Sequence, residues 1–398
     1  MNSLNFLKCL NVTSIYSCFF WKSNRQKVLQ IFKTEIFTSS SRNLSTFSQL
    51  FDGFDKNVTE TLQQRKFLKP VEDAQGKFGY DRGILSKEII SNWRSEWWRY
   101  VILGNKFVIN VALEEFIEAV KEDEDIWEKL IIKHLMKSIQ KQTPKLPLCV
   151  AANVVSHPKE KYQNDLLLLA ILVEKRHEKL DFDSWNSNSI RWMKKYMQKP
   201  AKIVTKSVEN SDTNSHKKND IVYNYNNSLL LLQESTLLSS DFLRTMQNWN
   251  EVETTLKTQP SMIVIKHNLQ NLLAATLADG YHTISFPNYF NRQLRIHPYL
   301  APVKAAVYIK GESNDQLKEL SKELCSLIRS MNATCWNANE LNLNYSDADE
   351  SAVVHGIVIS QETLETGLLH IRNRDTSLKV EAHITELEEK LFKYLEPT

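Results

Sequence analysis

Glycine is the residue this chain lacks. Its 398 residues include nine, about 2%, against a usual share of roughly 7%. Loops that cradle phosphates need glycine, because backbone N–H groups must approach the ligand with no Cβ in the way. Neither G-x-G-x-x-G nor G-x-x-x-x-G-K-[ST] occurs. The densest group, Gly76, Gly79 and Gly83, has a spacing that fits no nucleotide loop. This argues against a P-loop NTPase or a Rossmann dehydrogenase.

Apolar residues make up 42% of the chain, enough to bury a core. Charge is unevenly spread. Residues 300–398 hold ten basic and sixteen acidic side chains, whereas 1–45 hold six basic residues and only Glu35. The first 45 residues are also rich in serine. Basic, serine-rich and acid-poor is the pattern of a mitochondrial transit peptide, with cleavage expected near 39–45. Its apolar stretch around Phe19, Phe20 and Trp21 is interrupted by polar residues, too short for a membrane span. The intervening body, 46–299, is mildly basic, which permits nucleic-acid contact. The five cysteines (Cys9, Cys18, Cys149, Cys325 and Cys335) form no C-x-x-C pair, and no H-E-x-x-H accompanies them. Lone buried thiols are expected, with no metal and no cofactor.

Periodicity predicts a mixed α/β chain. Residues 91–100 read as an aromatic-rich helix. Residues 114–139 read as one or two helices, from Phe116, Val120, Trp127, Leu130, Ile131 and Leu135. Residues 146–155 suit a strand, while 166–173 suit either a buried strand or a helix. Residues 205–220 have almost no apolar anchor and are expected to form an exposed, disordered loop. After 300 the pattern gives strand, helix, strand, strand and a terminal helix, a compact α/β unit with a right-handed crossover. Ser313 and Gln316 have the spacing of a capping box before the stripe Leu317, Leu320, Leu324, Leu327 and Met331. Residues 384–395 present Ile384, Leu387, Leu391 and Leu395 on one face.

Two stretches carry a resemblance. Residues 296–307 read I-H-P-Y-L-A-P-V-K-A-A-V, and residues 362–376 read E-T-L-E-T-G-L-L-H-I-R-N-R-D-T. The first resembles the entry to the anticodon-binding domain of class II aminoacyl-tRNA synthetases. Together, in this order, they resemble a non-catalytic offshoot of that family, the accessory subunits of mitochondrial DNA polymerase gamma. Glu96-Trp97-Trp98 and the run Trp192-Met193-Lys194-Lys195 fit the same family. The resemblance implies a degenerate class II synthetase-like domain with a mixed or antiparallel sheet over 46–295. An anticodon-binding-like α/β domain with a mixed sheet follows over 296–398. Active synthetases carry a glycine-rich motif ending in an ATP-binding arginine. The corresponding residues, 269–295, contain only Gly280 and no G-x-G-x-x-R. The expectation is therefore a protein without catalytic residues, with the polymerase's catalytic subunit and primer–template or double-stranded DNA as partners. No membrane is expected among its partners. The runner-up is a mitochondrial tRNA-binding protein or ligase of the synthetase class. The stretch between Trp98 and Leu146 looks short for a dimerising insertion, so a heterodimer with one catalytic subunit is expected over a homodimer-based trimer.

Two surfaces follow. Arg191, Lys194, Lys195, Lys199, Lys202 and Lys206 are the only charges from 184 to 206, beside Trp185, Trp192 and Tyr196. Such a stripe can track a DNA backbone with its aromatics against bases. Equally, it is a solvated helix face with Trp192 and Tyr196 in the core. The second surface is Gly367, Leu368, His370, Arg372 and Arg374, where the resemblance implies docking of the catalytic subunit. The alternative reading has alternate residues filling a sheet while the arginines face water. Gly367 is expected to supply a positive-φ turn. His297 and His370 have no nucleophile or paired carboxylate in a recognisable motif, so polar or packing roles are expected. Trp97 and Trp98 read as core anchors.

Overall fold

The computed structural model describes residues 46–72, 78–104, 108–110, 146–154, 165–208, 217–226, 228–244, 249–286 and 289–395. The expected transit peptide lies outside the described residues, as do the helices expected over 114–139. The described residues from 79 onward, with 46–71, pack as one unit.

Helix α1 (Lys56–Gln64) leads to a two-stranded sheet, β1 (Leu68–Glu72) with β2 (Phe78–Arg82), and then to α2 (Ile84–Trp98). Seven strands follow in sequence: β3 (Val108–Asn110), β4 (Leu148–Val154), β5 (Leu166–Glu174), β6 (Ile203–Val208), β7 (Lys217–Tyr225), β8 (Ser228–Leu238) and β9 (Pro260–Asn268). They form one sheet in the order β3-β4-β5-β9-β8-β7-β6, antiparallel except for β3 against β4. Residues 166–173, ambiguous from periodicity, are strand. β5 is central and buried on both faces, which is why its apolar run does not alternate. Its odd-numbered side chains Leu167, Leu169 and Ile171 join Trp93, Trp97 and Trp192 in the main core.

Helix α3 (Glu178–Lys195) packs Phe182, Trp192 and Met193 into that core. Helix α4 (Leu269–Gly280) is buried on every side except at Asn271, as an all-round apolar helix must be. The Asn268 side chain accepts from the Gln270 and Asn271 N–H groups and starts it without a glycine. A hairpin, β10 (Tyr281–Phe286) with β11 (Tyr289–Leu294), follows.

The loop expected over 205–220 is corrected by the structure. Residues up to Val208 and from Lys217 are paired strands; 209–216 lie outside the described residues. The pair is polar, with Lys206 opposite Asp220 and Ser207 opposite Asn219. Backbone ladder bonds hold it, and buried Ile203, Ile221 and Tyr223 anchor it nearer the core. A window without apolar residues hides that kind of strand.

The C-terminal residues form a five-stranded mixed sheet. Its strands are β12 (Ala305–Ile309), β13 (Cys335–Asn337), β14 (His355–Ile359), β15 (Leu368–Asn373) and β16 (Lys379–His383), in the order β13-β12-β14-β15-β16. β13, β12 and β14 are parallel; β15 and β16 run antiparallel. Helix α5 (Asp315–Ser330) packs Leu317, Leu324, Cys325 and Ile328 on one face of the sheet. Its cap is Asn314, one residue after the expected Ser313, and the Asn314 Oδ1 accepts from the Leu317 N–H at 2.8 Å. α6 (Tyr345–Glu350), α7 (Gln361–Thr366) and α8 (Leu387–Leu395) complete the unit. Gly367 caps α7 at φ 73°, as expected, and a Cβ there would collide with the His383 ring.

Candidate nucleic-acid interface

The basic residues lie on a continuous piece of chain. Arg191, Lys194 and Lys195 occupy the last turns of α3, Lys199 precedes a short 3₁₀ turn, and Lys202 ends that turn before β6. Arg191, Lys195 and Lys199 are exposed; Lys194 and Lys202 are half-buried. None of these five is ion-paired among the described residues. Lys194 and Lys195 have a clear local role, since cations in a last helical turn offset the negative end of the helix dipole.

The aromatics do not share this surface. Trp192 and Tyr196 are four apart and occupy the neighbouring, buried face. Trp192 meets Trp93 edge-on at 5.3 Å and stacks on Tyr100 at 5.6 Å. The Tyr196 hydroxyl donates to Glu96 at 2.7 Å, and burial with that carboxylate raises its pKa. Trp185 is half-buried against the same core. A base-stacking stripe from these three side chains is thereby corrected to core packing, leaving a ledge of cations.

The fold adds residues that no local pattern marks. The Tyr299 ring lies 5.3 Å from Lys195 Nζ and 5.5 Å from Arg99 Cζ, so an aromatic from the 296–304 stretch sits between two cations. Lys202 Nζ lies 5.7 Å from the Tyr223 ring and 5.6 Å from Tyr225. Burial pushes His297 down to about 4, and Lys195, Lys304 and Arg374 add to the effect. His297 is thus neutral at physiological pH.

The second surface divides. His370 is exposed, and Gly367 and Leu368 are half-buried. Arg372 and Arg374 are neither a docking face nor solvated. Arg372 pairs in bidentate fashion with buried Asp349, at 2.7 and 2.8 Å, beneath the Tyr345 ring. Arg374 is 1% exposed. It donates to the carbonyls of Ile296 at 2.9 Å and Ala352 at 3.2 Å, and to Asp375 at 2.7 Å. β15 faces the rest of the chain at this end, so an arginine there has carbonyls and carboxylates to meet instead of water.

The two resembling stretches therefore touch each other. Arg374 of the second holds Ile296 of the first, and Lys304 of the first closes its own turn. Lys304 Nζ donates to the carbonyls of Pro298, Tyr299 (3.0 Å) and Ala301 (2.9 Å). Burial lowers the Lys304 pKa to about 8, which leaves the ammonium charged at neutral pH. Asn92 of α2 donates to Leu300 and Ala301 across the same turn, both at 3.1 Å.

The sheet face away from the main core presents Leu148, Val150, Leu168, Ala170, Leu172, Met262 and Val264, all buried. The same face carries charge on its other strands: Lys266 pairs with Glu234 at 3.7 Å, and Asp220 stands opposite Glu234 on one side and Lys206 on the other. Among the described residues, no three His, Cys, Asp or Glu side chains are grouped to hold a metal. Among the same residues, no helix is long and apolar enough to cross a membrane.

Known proteins match parts of this chain. Residues 299–394 match the anticodon binding domain family. The chain is 25% identical to DNA polymerase subunit gamma-2, mitochondrial, of Xenopus laevis over 231 residues, 54% of this chain and 49% of that protein. It is 31% identical to DNA polymerase subunit gamma-2 of Mus musculus over 108 residues, 26% of this chain and 24% of that protein. It is also 31% identical to the glycine–tRNA ligase of Clostridium tetani over 137 residues, 34% of this chain and 29% of that protein. The aligned stretch spans about half the length of the longest-matching of these relatives. The mixed α/β architecture, with its antiparallel sheet before an anticodon binding domain, fits a class II synthetase-like fold, and the chain is similar to both DNA polymerase gamma subunits and glycine–tRNA ligases.

Proposed function

We propose that this chain is a non-catalytic accessory subunit of a mitochondrial DNA polymerase, acting in the matrix nucleoid. It binds the catalytic subunit and primer–template DNA and raises processivity. The observation that carries this reading is the similarity to DNA polymerase subunit gamma-2 over more than half of the chain. The cations from Arg191 to Lys202, three exposed and two half-buried, support the DNA contact, since each phosphate they neutralise releases counterions. Added contacts act on the off-rate and keep the polymerase on its template longer. The action needs no cofactor.

Docking of the catalytic subunit is proposed for the C-terminal unit, through half-buried Leu368 and exposed His370 of β15 beside the Gly367 turn. One accessory chain pairs with one catalytic subunit in this reading, and light scattering of the purified complex tests that ratio. The DNA contact is tested by charge reversal. Lys194→Glu, Lys195→Glu and Lys199→Glu together should weaken duplex binding and flatten its salt dependence by about one log–log unit per lost phosphate contact. Unchanged affinity and slope would count against it.

The similarity to glycine–tRNA ligases favours a second reading, a tRNA-binding protein or ligase. Amino-acid-dependent ATP–pyrophosphate exchange by the purified chain would establish that reading in place of the first.

A further inference from the structure

Asp279 stands one residue before the end of α4 and is 1% exposed. Local forces disfavour a carboxylate there. The site is buried, where an anion needs hydrogen bonds, and it lies at the negative end of a helix dipole. Two of the three bonds that offset this run to the basic ledge, and the third comes from β7. The Asp279 carboxylate accepts from the backbone N–H of Gln198 and from that of Lys199 at 3.1 Å. It also accepts the Tyr223 hydroxyl at 2.8 Å. Charge-assisted bonds of this kind are about twice as strong as neutral ones. Two of them fix the backbone that carries Lys199. The third holds the ring that lies 5.7 Å from Lys202 Nζ.

We propose that Asp279 is a positioning residue for nucleic-acid binding, fixing the 198–199 backbone and the Tyr223 ring so that Lys199 and Lys202 lie along one ledge. The inference rests on the DNA-binding reading above. It makes an expectation opposite to simple charge counting. Removing a negative charge close to Lys199 should strengthen phosphate binding if net charge alone mattered. If position matters, binding weakens.

The test measures binding of the full chain to a fluorescein-labelled primer–template duplex by anisotropy, over a series of salt concentrations. Asp279→Asn keeps the size but sets an amide N–H₂ against N–H donors. It should weaken binding roughly five- to tenfold and flatten the salt slope by about one. Hydrogen exchange at the Gln198 and Lys199 amides should quicken in the same variant. Tyr223→Phe keeps the ring and both backbone bonds of the same carboxylate, so it should weaken binding less than Asp279→Asn and leave exchange at the Gln198 and Lys199 amides slow. Lys199→Glu with Lys202→Glu reports on the DNA reading itself. Should Asp279→Asn not fold, Gln198→Pro removes the N–H from the other side of the same bond and should weaken binding likewise, with exchange read at the Lys199 amide alone.

If the double lysine variant weakens binding while Asp279→Asn (or its Gln198→Pro stand-in) binds as well or better, the positioning role is overturned and DNA binding stands. Equal weakening by Asp279→Asn and Tyr223→Phe, in step with equal losses of Tm, also overturns it. If the double lysine variant binds unchanged, both ideas fall.

Discussion

Arg374 gives two of its donors to main-chain carbonyls and a third to Asp375, with almost none of it in water. Arg374→Ala leaves the Ile296 and Ala352 carbonyls without these donors inside the protein. An unsatisfied buried acceptor costs about 1–3 kcal/mol, so urea denaturation should record a loss of roughly 3 kcal/mol. A loss under about 1 kcal/mol, the usual surface value, would mean the contacts are not made. The sequence places Arg372 and Arg374 on a strand but says nothing of the carbonyls and the carboxylate waiting for them, and a charged side chain is normally read as solvated. Gly367 was legible for the opposite reason: its requirement is local, a left-handed turn between helix and strand. Two buried histidines and a half-buried third set a pH dependence at the same scale. Burial lowers His267 to about 3, and His297 and His355 to about 4, from an ordinary 6.5. Between those values the unfolded chain binds protons that the folded chain does not. Stability should therefore hold above about pH 6.5 and fall as pH drops towards 4. Urea midpoints across that window check the sign, and a flat profile would contradict it.

Elements were read well where one face is apolar and poorly where hydrogen bonding alone holds them. α5 was visible from its leucine stripe, and its cap moved by one residue because asparagine caps as well as serine. Asn314→Ala should cost about 1 kcal/mol, seen as a lower Tm by circular dichroism, whereas Ser313→Ala should cost a few tenths or less. The reverse ranking would restore the Ser313 cap. β6 and the start of β7 were missed because their pairs are polar and their anchors lie beyond the polar window. β16 was missed for a related reason: Lys379, Val380 and Glu381 are exposed on an edge strand and leave no period to find. On α3, side-chain type located the cations. The burial of Trp192 and Tyr196 became clear only with α2 packed beside them.

Across the whole molecule, the described residues before and after 296 share one core. Trp93 and Trp192 belong to the same buried cluster as Tyr308 and Val358. The stretches at 296–307 and 362–376 meet within it through Arg374 and Ile296, so they identify a junction more than a partner surface. In the reading proposed above, partner contact falls to the cations from Arg191 to Lys202, of which Arg191, Lys195 and Lys199 are exposed, and to the outer end of β15 at His370. A chain built this way can add binding surface to a polymerase without adding chemistry. The measurement that tests this most directly is primer extension by the catalytic subunit of the mitochondrial DNA polymerase under single-encounter conditions, with and without this chain, after co-purification of the two. The account predicts that the subunits co-purify, and that this chain lengthens the products of each binding event while nucleotide addition itself is little changed. Failure to co-purify, or product lengths that do not respond to the chain, would contradict it.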